Sequence, residues 1–281
     1  MDVLNKVSPK RFFEIDSFLA FLSIYEDKVR ERAYLRLLRS CKKAIRGAIC
    51  VEAGCGLGIM SEELAKLGAK KVYAVELNPE LFKLAKARLS PYPNVEVIKG
   101  DIRDFKPDVQ VDVLVHEFFG QLLYDESLYA LADLRFKPSL VLPDSGALMC
   151  GTAFVDEWDD DVIDEAVIRR FDSVIVSGLF DEKGICPDVE VLAWSAKSGI
   201  ESERVVDLSG KKGNLLYFGI EVRHEGKVIC RSGVCDNWSF GWTWRKADRF
   251  SFSFSAPGGN RKIPHAPEAV FRWNKYKPEN E

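Results

Sequence analysis

The chain has 281 residues, 47% hydrophobic and 30% charged, with a formal net charge of −3. That length suits one large or two modest cores, and the composition is that of a soluble globular protein, which excludes fibrous and disordered classes. Neither sign of charge forms a long run, so no extended nucleic-acid-binding face is expected. Seven cysteines (41, 50, 55, 150, 186, 230 and 235) form no C-x-x-C pair, and only His116, His224 and His265 are available beside them. This reads as reduced thiols in a cytoplasmic protein with no metal site. The opening MDVLNKVSPKRFFEID lacks the basic-then-apolar order of a signal peptide, and no apolar run reaches membrane-spanning length. No membrane partner is expected.

In chain order, residues 12–38 carry a helical pattern, with Phe18, Phe21, Leu22, Tyr25, Val29 and Arg30 at helical spacing. Residues 48–52 then read as a strand, 60–67 as a helix, 71–76 as a strand and 79–89 as a helix. Two more strands follow at 95–98 and 111–115, and a further helix at 122–134. Alternation of this kind with short turns predicts a parallel, doubly wound, Rossmann-like sheet of the α/β class. Beyond residues 142–146 the character changes. Strands at 173–177, 215–222 and 250–254, with turns such as 209–213, predict a β-rich second domain, a barrel or a sandwich. The tail from Lys275 is polar and is expected to fray.

The first strand runs into Glu52-Ala53-Gly54-Cys55-Gly56-Leu57-Gly58, just before a helix. Glycines there permit a tight turn and close backbone approach to a ligand near a helix N-terminus. Glu76 ends the second strand, 22 residues after Gly54, where an acid is placed to accept hydrogen bonds from both hydroxyls of a ribose. In the nicotinamide fingerprint G-x-G-x-x-G the third glycine falls one residue later than Gly58. The E-x-G-x-G-x-G form instead resembles motif I of class I S-adenosyl-L-methionine (SAM) methyltransferases, and Gly100-Asp101-Ile102 resembles their adenine-edge loop. The resemblance implies SAM as cofactor and S-adenosyl-L-homocysteine as product. It places Glu52, Gly54, Cys55, Gly56, Gly58, Glu76, Leu77, Asp101 and Ile102 in the cofactor site.

The acceptor in such enzymes is read after the fourth strand. The segment there is Val115-His116-Glu117-Phe118-Phe119-Gly120, which has neither the [DN]-P-P-[YFW] of enzymes that methylate DNA amino groups nor a Pro-Cys nucleophile. Glu117 and Glu126 lie nine residues apart across a loop tightened by Gly120. Glu117, Gly120, Leu123, Glu126 and Ser127 fall in register with the double-E loop of the protein arginine methyltransferases, S-E-x-M-G-x-x-L-x-x-E-S-M. The resemblance continues in Asp27-Lys28-Val29-Arg30 with Tyr34, in Leu142-Pro143-Asp144, and in Tyr217-Phe218-Gly219-Ile220-Glu221. It implies that Arg30 binds the SAM carboxylate, that Glu117 contacts both cofactor and acceptor, and that a protein or peptide is the substrate.

The chemistry of the residues agrees with that resemblance. A guanidinium is planar, permanently charged and a fixed fork of donors. Two carboxylates can hold that fork and draw its charge toward the held nitrogens, leaving the reacting nitrogen richer in electrons. Read without the family, Glu126 beside Asp125 equally suits the acidic first turn of the following helix.

Several positions depart from the family. Its T-H-W sequence abuts the acceptor site, and the nearest counterparts here, Phe240-Gly241-Trp242 and Trp242-Thr243-Trp244, have no histidine. His116 stands where the family has Ser, so it is a third catalytic candidate or else a histidine ending a buried strand. The stretch 238–244 reads as an acceptor wall or as core. Phe118 and Phe119 replace an aromatic–Met pair, and Arg103 falls where the family has an acid. Residues 178–191 hold no long arm of the kind the family uses to dimerise, which leaves the oligomeric state open. The organisation implied is N-terminal helices closing over the cofactor (1–40), a Rossmann-like SAM-binding domain (41–146) and a barrel-like substrate domain (147–281). Two other readings stay open: a SAM enzyme acting on another acceptor, whether another protein residue, RNA or a small molecule, and a silent SAM-binding scaffold.

Overall fold

The computed structural model describes residues 7–157, 163–180, 182, 184–255 and 268–274. The polar tail from Lys275 lies outside them.

Ser8 caps helix α1 (Pro9–Glu26), its side chain accepting the Arg11 N–H. The helical pattern expected over residues 12–38 is then interrupted. Asp27 leaves the helix at ψ 83°, and its carboxylate accepts the Arg30 N–H at 2.9 Å to start α2 (Lys28–Ser40). A side-chain acceptor at this point satisfies the free amides of a new helix, so one apolar pattern yields two helices. A short α3 (Lys42–Ile45) leads into the sheet.

Five strands form one parallel sheet: β1 (Ile49–Ala53), β2 (Lys71–Glu76), β3 (Val95–Lys99), β4 (Val113–His116) and β5 (Leu140–Leu142), in the order β3-β2-β1-β4-β5. Helices α4 (Ile59–Lys66) and α5 (Pro79–Leu89) connect the first three. The two faces follow the period of two. Cys50, Val72, Val113 and Val115 pack with Leu37, Leu38 and Leu64 on one side, while Val51, Ala53, Val75 and Leu114 pack with Ile102 and Ala130 on the other. A sheet covered on both faces explains why its strands read as unbroken apolar runs. Truncating Leu64, fully buried between α4 and this sheet, would cost about 2–5 kcal/mol.

The helix expected over residues 122–134 does not form. Leu123 adopts φ +76°, Gly120 and Leu123 pair as an isolated bridge, and the Asp125 carboxylate accepts the Leu122 N–H at 2.8 Å. These contacts commit the segment to a tight loop, and only Leu128–Asp133 closes as a 3₁₀ turn.

The remainder is antiparallel. One sheet has the order β7-β13-β11-β6-β8-β9, from β6 (Ser145–Ala153), β7 (Val176–Ser177), β8 (Val189–Ser195), β9 (Gly199–Ile200), β11 (Leu215–His224) and β13 (Gly241–Trp244), with β12 (Lys227–Arg231) paired to β11. The other is β10 (Glu203–Asp207), β14 (Arg249–Ser255) and β15 (Glu268–Trp273), in the order β10-β14-β15. The strand expected at 173–177 shortens to β7, because Ser173 sits at φ +66°, outside the extended region. A single helical turn, α6 (Glu165–Ile168), precedes it.

Phe218, Ile220 and Val222 of β11 meet Phe250, Phe252 and Phe254 of β14 in one core. The loop after β4 inserts Phe119, Leu123 and Tyr124 into that same core, and the Tyr124 hydroxyl donates to the Ala193 carbonyl at 2.7 Å. The two halves are thereby joined through the loop that carries the two glutamates. No described helix is long and apolar enough to cross a membrane.

Candidate functional site

A cleft of about 1220 Å³ opens at the C-terminal ends of the parallel strands. That is where open α/β sheets collect ligands, because loops leave the sheet there in opposite directions. Its walls include Gly54, Gly56, Glu76, Leu77, Asp101, Ile102, Glu117 and Glu126, so both groups of predicted residues share one space. A smaller cavity of about 70 Å³ lies alongside, lined by Arg30, Tyr34, Glu52, Cys55 and again by Gly54 and Glu117.

The side of the cleft formed by the glycine loop and Glu76 is held by backbone. One Glu76 carboxylate oxygen accepts the Gly56 N–H at 2.7 Å, and the other accepts the Asn78 N–H at 2.6 Å. Each oxygen keeps lone pairs for a further donor. Gly56 has φ +54°, and a β-carbon there would collide with the Tyr25 hydroxyl, which accepts the Leu57 N–H at 2.8 Å. Gly58 serves packing instead, since a β-carbon on it would press into Leu89 of α5. Glu52 is buried against the Ser61 hydroxyl, and burial pushes its carboxyl up to about 8. Asp101 is gripped by the forked guanidinium of Arg103, with a shortest contact of 2.6 Å. Leu77 is exposed at the cleft lip, while Ile102 is buried behind it.

Arg30 stands between the two sides. Its guanidinium is almost wholly buried, donates to Glu117 Oε1 at 3.1 Å and lies 4.8 Å from the centre of the Trp238 ring. Tyr34, one turn further along α2, lines the small cavity with a buried hydroxyl that has no hydrogen-bond partner among the described residues.

On the other side, inward Phe119, Leu123 and Tyr124 leave Glu117 and Glu126 facing the cleft. Gly120 is needed for this turn, because a β-carbon there would strike the Asp125 carboxylate. Glu117 is held by Arg30 alone, whereas Glu126 has no hydrogen bond or ion pair among the described residues. Burial raises the Glu117 carboxyl, and the Arg30 charge opposes that rise. Glu126 opens to the cleft, yet the surrounding protein strips enough water from its carboxyl to raise it, and the charges of Glu117 and Asp125 raise it further.

His116 is placed elsewhere. It is fully buried, touches neither cavity wall, contacts the Pro143 carbonyl through Nε2 at 3.1 Å and packs on Phe119 and Trp194. Burial pushes it down to about 3, which keeps it neutral. Most of the 238–244 stretch is likewise core: Phe240 and Trp242 pack with Tyr217. The space beside Gly241 is filled by Ile175.

Two residues from the antiparallel half do reach the site, and sequence spacing missed both roles. The Asn237 backbone N–H donates to Asp27 Oδ2 at 3.3 Å and its side chain to the Ser23 carbonyl, while Trp238 lies under Arg30. Tyr25 and Phe118 also line the cleft, Phe118 against Gly54. Tyr25 carried a signal, an aromatic just ahead of the helix-starting Asp27. Asn237 carried none.

A family model described as a methyltransferase domain matches residues 50–133, which contain the glycine loop, Glu76 and both acceptor-side glutamates. Probable protein arginine N-methyltransferase 3 of Arabidopsis thaliana is 30% identical over 216 residues, 68% of this chain and 35% of that protein. The chain is a divergent relative of the protein arginine methyltransferases. Protein arginine N-methyltransferase 1 of Oryza sativa subsp. indica is 32% identical over 171 residues, 57% of this chain and 44% of that protein. The chain spans between 28% and 44% of the length of such curated relatives. Among solved structures, the Trypanosoma brucei PRMT1 enzyme-prozyme complex with AdoHcy aligns at TM-score 0.63 and 15% identity, over 90% of this chain and 97% of that one. A PRMT6 crystal structure aligns at 0.65 and 14%, over 93% and 99%. At such identities the likeness is one of fold: a Rossmann-like sheet followed by antiparallel sheets.

Proposed function

We propose that this chain methylates a nitrogen of a cationic acceptor, with protein arginine as that acceptor and SAM as the donor. The observation that carries the reading is Glu126, a carboxylate without a partner among the described residues that faces, with Glu117, the same cleft as the glycine loop and Glu76.

The residues present fit SAM. The orphaned Tyr34 hydroxyl and the Arg30 guanidinium suit the amino-acid end, with Glu52 and Cys55 beside them. Glu76 suits the ribose diol, and Asp101 and Ile102 suit the base edge. When bound, SAM supplies an electrophilic methyl on a sulfonium. Glu117 and Glu126 accept from the donor fork of the acceptor, fix its plane and concentrate its positive charge near themselves. Trp238 backs the Arg30 guanidinium from the opposite side and fixes its direction. We assign the acceptor grip to the two glutamates and give His116 a packing role.

The proposed organisation is helices over residues 1–40 closing the cleft, a cofactor domain over 41–146 and a barrel-like substrate domain over 147–281, in a cytoplasmic protein. One observation favours a second reading with another acceptor. The counterparts of the family's T-H-W sequence, residues 240–242 and 242–244, hold no histidine, and the space beside Gly241 is filled by Ile175. Neither stretch offers an imidazole to take a proton. Incubation with labelled SAM and cell extract, followed by acid hydrolysis, tests both. Label in methylarginine is expected; label in another amino acid or in RNA transfers the chain to the second reading.

A further inference from the structure

Away from the cleft, three remote segments bring a thiol, an imidazole and a carboxylate into line. Cys41, half-buried, closes α2; His224 ends β11 and is 8% exposed; Asp144 sits in the turn between β5 and β6. His224 Nε2 lies 3.8 Å from Cys41 Sγ, and His224 Nδ1 lies 3.4 Å from Asp144 Oδ2. Nδ1 is buried and makes no hydrogen bond among the described residues, so that carboxylate oxygen is its neighbour by charge.

Asp144 does not move freely. Its Oδ1 accepts from the Ser145 hydroxyl at 2.7 Å and its Oδ2 from the Glu225 N–H at 3.0 Å. A fixed carboxylate facing Nδ1 favours the tautomer with hydrogen on that nitrogen, which leaves the Nε2 lone pair directed at the thiol. No group of three or more His, Cys, Asp or Glu among the described residues is arranged to hold a metal ion.

We propose that Cys41, His224 and Asp144 form a modification site at which the Cys41 thiol exchanges with a small neutral disulfide. Nε2 takes the Sγ proton as Sγ attacks one sulfur of the disulfide. The Sγ–S bond forms, the S–S bond breaks, and the departing thiolate collects the proton from Nε2. The disulfide is reduced to one free thiol while Cys41 becomes a mixed disulfide, so no further oxidant is consumed. The groups around the thiol require a base. Burial raises Cys41, the Ser40 hydroxyl 3.7 Å away opposes this weakly, and Glu225 and Asp144 add to the rise. A preformed thiolate is therefore scarce at neutral pH, and reaction runs through His224 as the proton acceptor. Asp144 is a positioning residue.

The test uses the reduced full chain, bis(2-hydroxyethyl) disulfide as probe, and mass spectrometry to follow each cysteine separately against pH. In the unmodified protein the Cys41 rate is already substantial at neutral pH and levels below the raised titration of its own thiol. A rate that instead climbs with unit slope beyond pH 9 overturns the proposal, and this readout does not depend on any variant folding. His224→Gln lowers the Cys41 rate at neutral pH by about tenfold or more while Cys186 is unchanged, and the gap closes in strong base. Asp144→Asn lowers the Cys41 rate at neutral pH while Cys186 is unchanged. A folded His224→Gln protein whose Cys41 reacts as fast as before refutes the assignment.

Discussion

The carboxylates on the two walls of the cleft are built in opposite ways. Glu76 meets backbone amides of Gly56 and Asn78 with both oxygens, so its place is fixed before any ligand arrives. Glu117 has one guanidinium and Glu126 has no partner among the described residues. A satisfied carboxylate suits neutral hydroxyls, which donate without changing the charge of the site. An unsatisfied, partly desolvated one suits a cation, because only a full positive charge repays the lost hydration. On the proposed function, the contrast separates a wall suited to neutral hydroxyls from a wall suited to a cation.

The sharpest way to break this contrast is at Glu126. Glu126→Gln keeps shape and removes charge, and turnover is expected to fall by about 10²–10³-fold while SAM affinity measured by calorimetry is retained. Turnover that survives would end the clamp assignment. On the other wall, Gly56→Ala forces a positive-φ position and pushes on Tyr25, so SAM affinity falls by about 10–100-fold, measured in the same way. Between the walls, Trp238→Leu removes the ring under Arg30, and SAM affinity drops by about 2- to 30-fold.

A pH series sharpens the comparison further. Both acceptor-side carboxyls are raised, and only their ionised forms hold a cation. Binding of an arginine peptide to the SAM-loaded protein, followed by fluorescence anisotropy, should therefore strengthen as pH rises well above the ordinary carboxylate value of about 4.3, and Glu126→Gln should flatten that rise. Away from both walls, the His116 imidazole is pushed down to about 3 in the fold. A depressed folded value means the unfolded chain binds the proton more readily. Stability is then full above the unfolded value near 6.5 and is lost toward pH 3, by up to about 1.4 kcal/mol per pH unit. Urea unfolding at stepped pH checks this, and His116→Gln should remove that slope.

Much of this was legible in the sequence where neighbours in the chain are neighbours in space. The glycine loop, Glu76 and the paired glutamates lie on strands and turns whose spacing fixes their position. The parallel strands could be read because burial on both faces makes them plainly apolar. The helix expected at 122–134 failed because Leu123 and Asp125 commit the chain to a turn, and apolar spacing cannot reveal a left-handed backbone. The break at Asp27 was hidden in the same way, by a side-chain acceptor inside a continuous apolar pattern. Asn237 and Trp238 were illegible for a different reason. Asn237 meets a residue 210 positions earlier in the chain, and nothing local marks either partner. Trp238 lies in the loop before β13 and meets Arg30, whereas Trp242 is a β13 residue packed with Tyr217, and nothing local in the sequence tells the two apart.

That contact of Trp238 and Asn237 with the α1–α2 junction makes the cofactor pocket a property of the joint between the halves. A fragment ending near residue 146 would keep the glycine loop and lose the floor beneath Arg30. By mutual linkage, whatever tightens Arg30 must also tighten the grip of one half on the other. Occupancy of the cleft would then be felt as rigidity in a sheet that never touches the ligand.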